Sequence, residues 1–139
     1  EYASIYLRWR ERGTDIIFGA HQASDGTLRA MALVTLLLQP KELLPNLIII
    51  DEPELGLHPF AIEILAGLLK SASVNVQIII STQSAMLLNY FAPEQVIVVN
   101  RQYRESVFTH LDVKKLNDWV KEYTLAELWE KNILEGTPR

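Results

Sequence analysis

Apolar runs that stop abruptly at polar residues set the pattern of this chain. Leu-Ile-Ile-Ile at 47–50 leads into Asp51, Glu52 and Pro53, and Val-Gln-Ile-Ile-Ile at 76–80 leads into Ser81, Thr82, Gln83 and Ser84. Short β-branched runs of this kind predict strands, the first of them buried on both faces as in a parallel sheet. Between them Ala61, Ile64, Leu65, Leu68 and Leu69 recur at helical spacing, with Pro59 where proline can start a helix and His58 ahead of it as the cap. Strand, helix, strand at this spacing is a βαβ unit, so both polar strand ends are expected on one edge of the sheet.

The flanking pattern adds elements around that unit. Ala3, Ile5, Leu7 and Trp9 alternate as in a strand, with Arg8, Arg10 and Arg12 as a basic stripe on its other side, and residues 15–18 predict a second short strand. A charged edge that discourages sheet-to-sheet association is the ordinary explanation of such a stripe. Ser24 is placed to cap a helix in which Leu28, Met31, Ala32, Thr35 and Leu36 form one stripe, running to about Leu38 before Pro40. Ser84 is placed to cap a short helix at 85–90, residues 95–99 predict a third core strand, and residues 105–111 an antiparallel edge partner for it. Asp112 is expected to cap a helix at 113–123 with Leu116, Trp119, Val120 and Tyr123 inward. Thr124 and Glu127 have the form of a capping box, opening a last helix with Leu128 and Trp129 buried, and residues 132–139 are expected to fray.

Composition narrows the chemistry. The chain has 139 residues, 49% of them hydrophobic, which suits one domain with a real core and excludes disorder. With no cysteine and only three histidines, thiolate metal sites and disulfides are excluded and a zinc site is not expected. A net charge of −4 means that any nucleic-acid contact would have to be local. No apolar run is long enough to span a membrane and no signal peptide is evident, so a cytoplasmic location is expected. The first residue, Glu1, suggests a piece of a longer chain.

The strand ends carry the candidate chemistry. Side chains alternate along a strand, so Asp51 can hold a Mg²⁺ ion through water while Glu52, pointing elsewhere, polarises an attacking water. At the start of the Ser24 helix, Ser24 and Gly26 expose backbone N–H groups under a favourable dipole, which can hold a phosphate without a basic side chain.

Taken together, these stretches resemble the ABC-type ATPases of the SMC/RecF-like branch, including AAA-type bacterial relatives. Residues 47–52 resemble the Walker B strand, with Asp51 at the Mg²⁺-coordinating aspartate and Glu52 at the catalytic glutamate; residues 54–58 resemble the D-loop that faces a partner subunit. Residues 23–28 resemble the signature motif. Ser24 and Gly26 match its serine and second glycine, while Ala23, Asp25 and Thr27 depart from it. Gln83 stands at the switch position, where the wider family carries histidine, and can hydrogen-bond a phosphate or water but cannot take up a proton. The resemblance implies an α/β fold, a partial P-loop NTPase core of mainly parallel sheet flanked by helices, with an edge strand pair and C-terminal helices over residues 1–139. It implies ATP and Mg²⁺ as ligands, Glu52 and Gln83 as catalytic residues, and Ser24, Gly26 and Asp51 as cofactor-binding residues. The implied partners are the Walker A half of the same protein, a second copy in a homodimer, and DNA or a partner protein.

No G-x-x-x-x-G-K-[ST] phosphate loop occurs in the sequence. The chain therefore reads as the second half of an ATPase, inactive by itself. Two other readings remain open: a non-catalytic fragment or interaction module on the same scaffold, and a different Mg²⁺ enzyme built on Asp51 and Glu52. The latter would need further carboxylates at strand ends, where Ser81 and Asn100 stand instead.

Overall fold

The computed structural model describes residues 4–112, 116 and 119–134. In chain order it contains β1 (Arg8–Arg10), β2 (Ile17–Gly19), α1 (Asp25–Leu37), β3 (Leu47–Asp51), α2 (Pro59–Ser73), β4 (Gln77–Ser81), α3 (Ala85–Leu88), β5 (Ile97–Gln102), β6 (Glu105–His110), α4 (Trp119–Glu122) and α5 (Leu125–Glu130). The expected βαβ unit is present: β3 and β4 pair in parallel, with Leu47 opposite Gln77 and Asp51 opposite Ser81. That register sets the two polar strand ends side by side.

The helices start where the caps put them. Ser24 accepts from the Thr27 N–H at 3.1 Å, His58 Nδ1 from the Phe60 N–H at 3.3 Å, and Ser84 from the Leu87 N–H at 3.1 Å. Each bond satisfies one of the donors that a helix leaves open in its first turn. The buried stripe of α2 is Ile62, Leu65, Ala66, Leu69 and Ala72, rotated from the expected one so that Ile64 is half-exposed. The reason is that α2 serves two neighbours. Leu65 and Leu69 share a cluster with Ile48 of β3, whereas Ile62 and Ala66 pack with Leu87 of α3.

Two expectations about the strands are corrected. β3 is not buried on both faces: Ile48 is covered, but Ile49 is 69% exposed and its parallel neighbour Ile79 is 47% exposed. α2, with Leu37 of α1 in the same cluster, covers a single face. Nor is the sheet mainly parallel. Among the described residues β3–β4 is the one parallel pair, while β1–β2 and β5–β6 are separate antiparallel pairs. β5 gives one hydrogen-bonding edge to β6 and packs Val98 with Leu116, Leu125, Leu128 and Leu134 of the C-terminal segment, so it does not extend the central pair.

The C-terminal end is better fixed than its composition suggested. The capping box forms, with the Thr124 N–H donating to Glu127 at 2.7 Å and the Glu127 N–H to the Thr124 hydroxyl at 3.3 Å. At the other end Asn132 takes φ 55, and the Ile133 and Asn132 N–H groups donate to Leu128 and Trp129 carbonyls at 2.9 and 2.8 Å. This is the Schellman pattern, and Ile133 packs in the same cluster as Leu128 as that motif favours. Leu134 is buried, so the expected fraying does not begin at 132; residues 135–139 lie outside the described residues. Residues 113–115, 117 and 118 of the expected 113–123 helix also lie outside them, as does the side chain of Val120. Leu116 is buried as expected, Trp119 is 45% exposed rather than inward, and Trp129 is half-buried. At the amino end the strand begins only at Arg8, Ile5 and Tyr6 are exposed, and Ala3 lies outside the described residues. No helix among the described residues is long and apolar enough to cross a membrane.

Candidate active site at the ends of the parallel strands

Pairing of the parallel strands runs one step past β3, where the Glu52 N–H donates to the Ser81 carbonyl at 2.9 Å. Glu52 then turns the chain with φ 46, a left-handed conformation that a non-glycine residue adopts with strain and that clusters at functional sites. The turn that follows is held by the Leu55 N–H on the Glu52 carbonyl at 3.1 Å and the Leu57 N–H on the Glu54 carbonyl at 2.9 Å. Gly56 completes it at φ 78, where glycine carries no penalty.

Three of the residues singled out in the sequence meet here. Asp51 accepts a hydrogen bond from the Ser81 hydroxyl, its neighbour in the register. The Glu52 carboxyl is pushed above its ordinary value by burial first, then by the neighbouring Glu54 carboxyl, and by the charge of Asp51. The Gln83 backbone N–H, bonded to Glu52, acts in the opposite direction. A carboxylate moved up in this way is a stronger base for a water proton. The Gln83 side chain is exposed, free to reach a ligand beyond the strand ends.

Ser24 and Gly26 sit apart from this trio. Ser24 Oγ is engaged locally, with the Thr27 N–H and with the Thr27 hydroxyl at 2.8 Å, and no hydrogen bond among the described residues joins it to Asp51, Glu52 or Gln83. Gly26 is buried against the 53–57 turn. A Cβ added to it would lie 2.1 Å from the Gly56 carbonyl oxygen, so only glycine lets the start of α1 touch that turn.

The turn also holds what sequence reasoning missed. Glu54, expected on an exposed docking loop, is 7% exposed, and its Oε1 accepts from the Thr82 hydroxyl. Its Oε2 is buried without a hydrogen-bond donor. Nothing in the spacing of Glu54 marks it as inward, because the turn obeys no period. Of the two turn leucines, Leu57 packs into the core and Leu55 is 53% exposed.

A chain from a solved structure described as "Structural biochemistry of ATP-driven dimerization and DNA stimulated activation of SMC ATPases" superposes with a TM-score of 0.66 at 18% identity, covering 86% of this chain and 73% of that one. At that identity the likeness is one of fold, a P-loop NTPase core. No curated protein matches the sequence. The family model described as "AAA domain, putative AbiEii toxin, Type IV TA system" matches residues 2–89, from the first strand through the Gln83 loop to α3. With more than half of its length matched, the chain belongs to that AAA-domain family of P-loop ATPases.

Proposed function

We propose that this chain is the carboxylate-bearing half of an ATP-hydrolysing ABC-type ATPase of the SMC/RecF-like branch. The observation that carries the reading is Glu52: a half-buried carboxylate on a left-handed backbone at the end of a parallel strand, bonded by the Gln83 N–H and raised in pKa. Glu52 would take the proton of the attacking water, and the Gln83 side chain would orient the water or the γ-phosphate. Asp51 and the Ser81 hydroxyl offer an oxygen-only donor pair. Such a pair can serve Mg²⁺, an ion that keeps water and phosphate among its ligands. Bound there, Mg²⁺ would neutralise charge on the phosphates. Ser24 and Gly26, at the start of α1, would serve the site of a second copy in a homodimer.

The grip on the phosphates has to come from elsewhere, since the sequence has no phosphate loop. The bare face of β3–β4, with Leu47, Ile49 and Ile79, is where the Walker A half of the domain would pack. In the intact ATPase, Glu52→Gln is expected to abolish turnover and leave ATP binding largely intact, because Glu52 acts in the chemical step. Asp51→Asn should weaken Mg-ATP binding as well. Gln83→Ala should lie between them, lowering turnover by an amount equivalent to about 1–3 kcal/mol, the value of one hydrogen bond to a charged group. Steady-state turnover and calorimetric nucleotide affinity for the three variants check the assignment, and a Glu52→Gln enzyme with wild-type turnover would end it.

A further inference from the structure

A buried carboxylate with one hydrogen bond is an expensive way to fill a turn. An apolar side chain of similar length would pack there without the desolvation of a charged group. Glu54 is such a carboxylate, and the group it bonds belongs to the strand-end loop that carries Gln83.

The bonds form a relay. The Leu87 N–H donates to Ser84 Oγ at 3.1 Å, the Ser84 N–H donates to Thr82 Oγ1 at 2.9 Å, and the Thr82 hydroxyl donates to Glu54 Oε1. One end of the relay is anchored by Leu87 of α3, which is fully buried against Ile62 and Ala66 of α2. The other end is anchored in the turn that begins at Glu52. Gln83 lies between Thr82 and Ser84, both fixed by the relay, so the direction of its N–H toward Glu52 is set by groups on either side of it. Without Glu54, the Thr82 side chain would keep only the Ser84 N–H, and the peptide joining Thr82 to Gln83 would lose its tie to the 53–57 turn.

We propose that Glu54 is a positioning residue for the ATPase reaction: by holding Thr82 it fixes the Gln83 backbone N–H on the Glu52 carboxylate. The proposal rests on the ATPase reading given above. Glu54 itself touches neither water nor nucleotide in this role, so its loss should appear in kcat and not in the affinity for ATP.

The test compares Glu54→Ala, Glu54→Gln and Thr82→Val in the intact ATPase, with Glu52→Gln alongside. Misplacing a catalytic group by a fraction of an ångström to an ångström lowers rates by up to about 100-fold, so Glu54→Ala is expected to lose roughly 10–100-fold in kcat with KM for ATP changed less than about 3-fold. Glu54→Gln keeps an oxygen that accepts the Thr82 hydroxyl and should recover most of that loss. Thr82→Val should reproduce the part of the Ala loss that passes through this link, and the double variant should be no worse than Glu54→Ala, which cuts the link and also removes the Glu54 charge beside Glu52; an unchanged kcat in Thr82→Val beside a slow Glu54→Ala would overturn the positioning through Thr82. Amide exchange at Gln83 and Ser84 should quicken in the Ala and Val variants and return toward wild type with Gln. Wild-type kcat in Glu54→Ala beside a dead Glu52→Gln would overturn the positioning role and leave the ATPase reading intact. Parallel losses of kcat and affinity that Glu54→Gln does not restore would also overturn it, leaving Glu54 a structural residue only. A fully active Glu52→Gln would remove the reading and the proposal together. Where Glu54→Ala does not fold, Thr82→Val carries the same comparison.

Discussion

The two faces of the β3–β4 pair differ sharply although their sequences do not. Ile48 and Ile49 are chemically identical neighbours, yet one is 5% exposed under α2 and the other 69% exposed. The same holds at β5, where Val98 is buried by the C-terminal helices while Ile97 and Val99 stand about half-exposed. Parallel strands are normally covered on both sides, so the bare face of β3–β4 is that of a structure with one layer in place, whereas one open face is ordinary for the antiparallel β5–β6 pair. The candidate chemistry is assembled by the covered layer alone: the strand ends, the 53–57 turn, α1 and the Gln83 loop all meet on its side. What the covered layer does not carry is a G-x-x-x-x-G-K-[ST] phosphate loop.

The most direct way to break this comparison is to make the same substitution on both faces. Ile48→Ala removes buried methylene and methyl groups from the cluster formed with Leu37, Leu65 and Leu69, and should lower stability by about 2–5 kcal/mol. Ile49→Ala in the same chain should change it by less than about 0.5 kcal/mol, the range of an exposed substitution. Denaturant melts of both variants check the pair of values. If the Walker A half packs on the bare face, the Ile49 value should rise toward the Ile48 value in the intact ATPase, and an unchanged value there would show that this face stays open.

How much of this was legible in the sequence follows from which features carry a period. The βαβ unit, its caps and the placing of Asp51, Glu52 and Gln83 at neighbouring strand ends could be read from the β-branched runs and from Ser24, His58 and Ser84, because those signals are local. The coverage of Ile49 could not: four apolar residues in a row look the same whether one layer or two lies over them. The rotation of the α2 stripe was hidden for a related reason, since a helix shared by β3 and α3 presents two overlapping stripes and Ile64 fits neither. Glu54 was misjudged as a surface residue because carboxylates are rarely buried, and the hydroxyl that donates to it, on Thr82, is distant in sequence.

A second and smaller test concerns whether the 53–57 turn belongs to the covered layer or is only laid on it. Gly26→Ala places a Cβ against the Gly56 carbonyl, with 2.1 Å to its oxygen and 2.8 Å to its carbon, so backbone has to move. Overpacking of this kind lowers stability by about 1–3 kcal/mol. If the turn is part of the layer, faster amide exchange should spread from Thr27 in α1 to Leu55 and Leu57, whose N–H groups hold the turn. Exchange that changes at Thr27 alone would make the contact between α1 and the turn incidental.

The smallest expected effect lies in the helix that half-covers β5. Glu127 closes the capping box of α5, and its carboxyl is held below the ordinary value of 4.5 chiefly by the Thr124 backbone N–H, then by the Thr124 hydroxyl, with Lys131 adding a little against a small opposing desolvation. A carboxyl whose folded pKa is lowered stabilises the folded state in full above its unfolded pKa, and that contribution fades as the pH falls through the folded value. The window is therefore below pH 4.5, on the acid side, and the exposure of Glu127 keeps the effect slight. Acidification across this window should open the first turn of α5 before the β3–β4 layer responds, seen as quicker exchange at the Glu127 and Leu128 amides. Thr124→Ala should remove the cap and the smaller part of this acid dependence, since it deletes the hydroxyl that accepts the Glu127 N–H and donates to its carboxylate but keeps the backbone N–H that donates to it. An acid response at those amides unchanged by Thr124→Ala would leave the backbone N–H as its whole source and take the Thr124 hydroxyl out of the account.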